Sequence, residues 1–212
     1  MARQRRTQGE RRDDTRNRLL AAAFRVFARD GVGASVADIA AEANCSTGAI
    51  YTHFSGKRDL LLAVFDSRFP DWANSYFNAL APSTAPKQAI DAAAHHWEEL
   101  LDEQPARSQL YIEFWMAALR DADLREPFRE RQRQIIDTMA KLIGQHVDFQ
   151  ETEPPVSATT MGAIVTALAD GLAIQYLAGT SADAAETLRT GVSLLIRALN
   201  SPNVLEHTDE RR

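Results

Sequence analysis

Apolar positions recur at helical spacing along most of the chain, and no stretch shows the alternation that a half-buried strand requires. Leu19, Leu20, Ala23, Phe24 and Phe27 make one stripe, on a helix expected from about Asp13 or Thr15 to Arg29 and ended by Asp30-Gly31. Two much shorter stripes follow. Val36, Ile39, Ala40 and Ala43 fall at i, i+3, i+4 and i+7, and Ile50 and Phe54 form an i, i+4 pair. Each short helix has a serine where an N-cap belongs, Ser35 and Ser46, able to accept from the first free N–H groups. Gly56 stops the second, and Lys57 to Asp59 open a longer helix carrying Leu60, Leu61, Val64 and Phe65. Two short helices joined by so tight a turn are a helix-turn-helix unit, whose second helix enters the DNA major groove N-terminus first.

Pro70 removes one i→i−4 hydrogen bond, to Asp66, and predicts a kink or break in that longer helix. Further helices are expected at about 87–103, 105–120, 123–146, 156–177 and 182–199, with loops at 82–86 and 151–155. Residues 1–12 are polar and arginine-rich with no apolar period, which reads as a flexible arm, and the chain beyond Asn200 reads as a frayed tail. About nine helices result. The expected fold is all-α, with a small N-terminal three-helix bundle that contains the helix-turn-helix and a larger helical bundle after it.

Charge sharpens this division. Residues 1–60 hold 11 Lys+Arg against 7 Asp+Glu, a net +4, whereas the other 152 hold 13 against 22, a net −9. A basic end on an acidic body suits a chain that meets a polyanion at one end only, although an uneven surface could arise without function. One cysteine excludes an internal disulfide and suits a reducing cytoplasm. No apolar run follows the first arginines, so no export signal is expected. The stretch from Met161 to Gly179 is nearly long enough to span a bilayer. Asp170 at its centre would cost about 2.5–3.5 kcal/mol there, so a helix buried in protein is the better reading and no membrane contact is expected.

The spacing of Gly31, Ser35-Val36, Ile39-Ala40, Ala43, Ser46, Gly48, Ile50-Tyr51, His53-Phe54, Lys57 and Leu60 resembles the signature of the TetR family of one-component transcriptional regulators. That resemblance covers about residues 15–62; beyond them it rests on length and helical patterning. It implies an arm and DNA-binding domain over 1–62, a ligand-binding and dimerisation domain over 63–200, and a flexible tail over 201–212. It also implies a regulator without enzymatic activity that binds a double-stranded, pseudo-palindromic DNA operator. Repression is the family's common mode, with activation the alternative. A homodimer through the last two helices (about 156–199) and a small-molecule effector are expected, with no cofactor.

On this resemblance, Thr47, Gly48, Ala49, Thr52 and His53 point toward base edges. None is Arg, Asn or Gln, the bidentate readers of guanine and adenine, so readout would lean on the Thr47 hydroxyl or methyl and on Ala49 against a thymine methyl. Tyr51, His53 and Lys57 resemble phosphate-contacting positions, with Thr15 and Ser35 on the other flank. Ser35 and Ser46 are caps whether or not they touch DNA, and Tyr51 could simply pack. The arginines at 3, 5, 6, 11 and 12 could enter the minor groove or only solubilise the chain.

Aromatic residues and methionines crowd the middle helices, and Leu110 to Leu119 is apolar on more than one face, which predicts a helix buried on several sides. Trp72, Tyr76, Trp97, Tyr111, Phe114, Trp115 and Met139 are candidates to line a ligand pocket, though most must be plain core. Asp170 needs a partner, in the ligand or across the helix pairing. Glu113 lies with Gln109 and Arg120 on a polar stripe that reads as solvent-exposed. Small residues such as Gly162, Ala167, Gly171 and Gly191 would let the last two helices pack closely. Two rival classes remain at this level. His95 and Glu99 at i, i+4 could suggest a metal-dependent enzyme, but two ligands without a second cluster read better as a solvated face. A helical protein-interaction module would need the basic face to bind protein.

Overall fold

The computed structural model describes residues 7–146, 156–181 and 183–199. Nine helices and no strand occur among them: α1 (Gln8–Asp30), α2 (Val36–Glu42), α3 (Thr47–His53), α4 (Lys57–Leu80), α5 (Pro86–Glu103), α6 (Pro105–Arg120), α7 (Ala122–His146), α8 (Ala158–Leu177) and α9 (Ala184–Leu199). They form two compact units. The first takes the residues up to Asp71 together with Ala106–Phe128; the second takes Trp72–Pro105 and the residues from Arg129 onward.

The first unit closes around Leu19, Val26, Phe27, Ile39, Ile50 and Leu60, all essentially without solvent contact. Burying a side chain such as Phe27 is worth about 1.5–3 kcal/mol relative to leaving it exposed. Phe65 meets Phe114 edge-on at 4.8 Å between ring centroids, and Phe128 packs against Trp115 at 4.9 Å, so α6 and the start of α7 are part of this core. In the second unit, Tyr76, Leu80, Trp97, Leu101, Leu142 and Leu188 form the main cluster, continued by Met161, Val165 and Ile196.

Five expectations change. α1 begins at Gln8, not near Asp13, because Thr7 and Glu10 form a capping box: the Thr7 hydroxyl accepts from the Glu10 N–H, and the Glu10 carboxylate accepts from the Thr7 N–H. Arg11 and Arg12 are therefore helical; arginines 3, 5 and 6 lie outside the described residues. α4 runs unbroken from Lys57 to Leu80, so no break falls at position 70. A proline deletes one hydrogen bond, and a helix of 24 residues absorbs that loss. α6 buries one face only, through Leu110, Phe114 and Ala118, while Trp115, Met116 and Leu119 are exposed. α8 likewise keeps an apolar face outside, with Ile164 41% and Ile174 50% exposed. Glu113 is half-buried, not free in solvent, because its carboxylate accepts from the Val32 N–H at 3.3 Å in the turn after α1.

Candidate nucleic-acid interface and apolar cavity

The turn between α2 and α3 is built by Asn44, the one described non-glycine residue with positive φ (51°). The Cys45 N–H reaches the Ala40 carbonyl at 3.0 Å and the Asn44 N–H reaches the Ala41 carbonyl at 3.1 Å, the paired bonds of a Schellman motif. Asn tolerates this left-handed conformation, a signal that the sequence carries and that glycine-centred reading passes over. Cys45 is half-buried in the turn and its thiol is free. Ser46 then caps α3, its hydroxyl accepting from the Ala49 N–H at 3.3 Å.

α3 is anchored by Ile50 on its inner side and by Phe54 just beyond its end. Its outer side presents Thr47, Gly48, Tyr51 and Thr52, all exposed, with Ala49 and His53 half-buried beside them. Tyr51 is 57% exposed, so it does not pack in the core. The hydroxyl protons divide these residues. Thr52 donates to the Gly48 carbonyl (3.0 Å), Thr15 to the Arg11 carbonyl (2.8 Å) and Ser35 to the Asp38 carboxylate (2.6 Å). Their lone pairs remain for donors on a ligand, but their protons are already engaged. Ser46 and Thr47 keep theirs free to donate.

Lys57 stands at the start of α4, where the helix dipole disfavours a cation. Burial lowers its pKa further, and no described carboxylate pairs with it. A phosphate arriving there would offset both costs. Arg58 is different: it pairs with Asp121 and Asp123 at 2.7 Å each, and so ties the start of α4 to the α6–α7 junction. Arg16 stacks over Phe54 at 5.1 Å from the ring centroid. Ser35 closes a capping box with Asp38, whose pKa its hydroxyl and N–H hold below the usual carboxylate range.

The second unit holds a partly open apolar cavity of about 80 Å³. Tyr76, Trp97 and Met139 line it with aliphatic side chains of α5, α7, α8 and α9; Trp72 does not line it and lies tilted against Tyr76, 5.0 Å between ring centroids. Tyr111, Phe114 and Trp115 belong to the first unit and are not among the lining residues. Asp170 is half-buried and does not line the cavity either.

Residues 19–64 match the pattern of bacterial regulatory proteins of the tetR family, and residues 79–199 match the C-terminal pattern of BetI-type transcriptional repressors. The second match alone spans more than half the chain. The chain belongs to the TetR family. It is 34% identical over 147 residues to the HTH-type transcriptional regulator CymR of Pseudomonas putida, covering 66% of this chain and 70% of that one. A TetR-family regulator of Rhodococcus sp. has the same fold, with a TM-score of 0.72 and 22% identity, over 89% of this chain and all (100%) of that one. A Saccharomonospora viridis regulator in complex with choline superposes with a TM-score of 0.69 and 22% identity, over 87% and 96%.

A TetR-family chain is a DNA-binding transcriptional regulator, and α3 lies within the residues matched by the tetR pattern. His95 and His96 pair with Glu99, and no cluster of three metal-ligating residues occurs among the described residues. α8 is the single described helix long and apolar enough to cross a membrane, by length and composition.

Proposed function

We propose that this regulator is a cytoplasmic, ligand-responsive repressor that binds a pseudo-palindromic operator as a homodimer joined through α8 and α9. The observation that carries the dimer is the uncovered face of α8. Ile164, Ala167, Gly171 and Ile174 follow heptad-like spacing; Ile164, Ala167 and Ile174 are exposed, and a side chain added at Gly171 would meet nothing. Leu194 of α9, 59% exposed, extends the apolar surface. A monomer leaves this area in water, whereas a two-fold pairing would bury it as one four-helix seam.

In such a dimer the two α3 helices would enter successive major grooves about 34–36 Å apart. Thr47, Gly48, Ala49, Thr52 and His53 would face base edges. Tyr51, Lys57 and Ser46 would face phosphate, with Thr15 and Ser35 contributing only after releasing their present acceptors. The cavity of the second unit would take a small-molecule effector, with Tyr76, Trp97 and Met139 against it and no cofactor required. Binding there lowers operator affinity only if the ligand favours a conformation of the dimer that holds the α3 helices at another spacing.

The test joins sedimentation to a mobility-shift assay on the DNA upstream of the chain's own gene. The wild type should sediment as a dimer and shift that DNA. Ile174→Glu should sediment as a monomer and lose operator affinity by about 100-fold or more, since half the contacts must then form independently. A monomeric wild type that binds tightly would overturn the dimer, and a dimer that binds no DNA would overturn the operator-binding repressor.

A further inference from the structure

The cavity of the second unit is lined by a single charged residue, Arg189 of α9. Tyr76, Trp97, Leu142, Val165 and Leu188 around it are buried, whereas the Arg189 side chain is 34% exposed and so marks the open side. Its guanidinium is only partly engaged. Nη1 donates to Glu186 one turn earlier on the same helix. Nε lies 3.2 Å from Asp91 Oδ1 on α5, but this contact is not aligned as a hydrogen bond, and the buried Nε has no acceptor. No described residue accepts from Nη2. The Nε–Nη2 edge, the side of the guanidinium that matches two carboxylate oxygens at once, therefore makes no hydrogen bond, with the Asp91 carboxylate beside it at 3.2 Å from Nε.

We infer, resting on the reading of this cavity as the effector site, that its ligand is a small carboxylate anion with an apolar body. The hydrocarbon fills the cavity and the carboxylate lies at the mouth on the Nε–Nη2 edge of Arg189. A buried N–H without an acceptor is a costly state, and an incoming anion relieves it. Asp91 and Glu186 already neutralise part of the arginine's charge, but neither lines the cavity, and an arginine has five donors to share. Size limits the body. The cavity is about 80 Å³, near half of the roughly 150 Å³ that accommodates benzene, so it takes a few carbons while the rest of the molecule occupies the opening.

The same geometry argues against a quaternary ammonium such as the choline bound in the Saccharomonospora viridis regulator. Tyr76 and Trp97 line the cavity, and an aromatic ring can attract a cation. No carboxylate lines the wall to balance its charge, however, and the one charged lining residue is an arginine whose charge Asp91 and Glu186 offset only from outside the cavity.

Three six-carbon probes of one shape and different charge test this: hexanoate, hexanamide and hexylamine, each titrated into the full chain by calorimetry. Hexanoate should bind about ten-fold or more tightly than hexanamide, the usual worth of a charge-assisted hydrogen bond over a neutral one, and hexylamine weakest of all. Arg189→Gln should abolish the preference for hexanoate while leaving hexanamide within about two-fold. Arg189→Lys, which keeps the charge and loses the fork, should retain only part of the preference. Equal binding of hexanoate and hexanamide, tighter binding of hexylamine, no binding of any probe, or a preference that survives Arg189→Gln in a folded variant would each overturn the inference. A mobility shift run with each probe separates the two readings. Hexanoate that binds through Arg189 without releasing operator would sink the effector role and keep the anion site. Release by hexanamide and not by hexanoate would keep the effector role and sink the anion site.

Discussion

In the first unit, helices are fastened by polar contacts at their ends. Arg58 bridges to Asp121 and Asp123, Arg25 and Arg29 hold Glu42, and the Glu113 carboxylate accepts from the turn after α1. In the second unit, helices meet through missing side chains. Gly162 lets α8 lie against the backbone of α7, Gly191 makes room for Leu168, and a cavity remains between Trp97 and Val165. Under the proposed function, the surface that would read DNA is capped and pinned before DNA arrives, and the unit that would answer to a small molecule keeps space that its core leaves unfilled.

The largest effect expected from breaking this comparison is at Gly162. A methyl there would sit 2.6 Å from the Ile136 carbonyl oxygen and 3.0 Å from the Ala140 nitrogen, so backbone must move. Gly162→Ala should cost about 1–3 kcal/mol despite alanine's higher helix propensity, a fall in Tm of roughly 2–4 °C per kcal/mol. Gly191→Ala is its control, since the added methyl meets only the tip of Leu168, which can turn away. Calorimetric melts that rank the two variants the other way would refute the backbone-contact explanation.

Substitution of Thr47 or Ala49 should reorder preference among operator variants by about 1–3 kcal/mol per affected base pair with little change in Tm. A uniform loss over all variants would mean that these residues only seat the helix, leaving sequence to be read through DNA shape. Lys57→Ala should weaken binding evenly across sequences and flatten the log–log salt slope by roughly 2, one phosphate contact from each subunit of a dimer. An unchanged slope removes Lys57 from the contacts.

The smallest effect concerns the Arg58 clamp. Its hydrogen bond holds the Asp121 pKa below the ordinary value of 3.8. The stability this contributes is present above pH 3.8 and is lost as pH falls through the lower, folded value. Arg58→Ala should therefore melt below the wild type at neutral pH, by a modest margin because the pair is exposed, and the margin should close in acid. A gap of constant size from pH 7 to pH 2 would show that Arg58 acts by packing instead.

The DNA-binding end was legible because each of its residues does a local job that spacing reveals: Ser35 and Ser46 start helices, and Ile39, Ile50 and Phe54 hold them down. The positions of α5 to α9 were also visible to within a few residues, from their apolar period and from Pro105 at a helix start. The packing of α6 with the first unit was not, because Phe114 and Phe65 are equally apolar in any arrangement and only tertiary contact pairs them. The cavity was legible only in part: of the candidates read from the sequence, Tyr76, Trp97 and Met139 line it, whereas Trp72, Tyr111, Phe114, Trp115 and Asp170 do not, because its shape is what several side chains leave empty together. Arg189 escaped notice for the same reason, as one of many surface-patterned arginines until its neighbours were known.

The Thr7–Glu10 capping box has a consequence for energetics. From Gln8 to Arg18 no residue of α1 is buried, so roughly 16 Å of helix at 1.5 Å per residue lies at the surface, where Arg16 reaches over the Phe54 ring. Alone, so short a segment would be mostly coil. Grown from the packed half of α1 and closed by the capping box, it needs no nucleus of its own. Fixing a residue's backbone costs about 1–2 kcal/mol, and for Arg11, Arg12 and Arg16 that cost is met when the chain folds. A ligand that meets these three arginines finds their backbone already ordered, and only their side chains are left to fix.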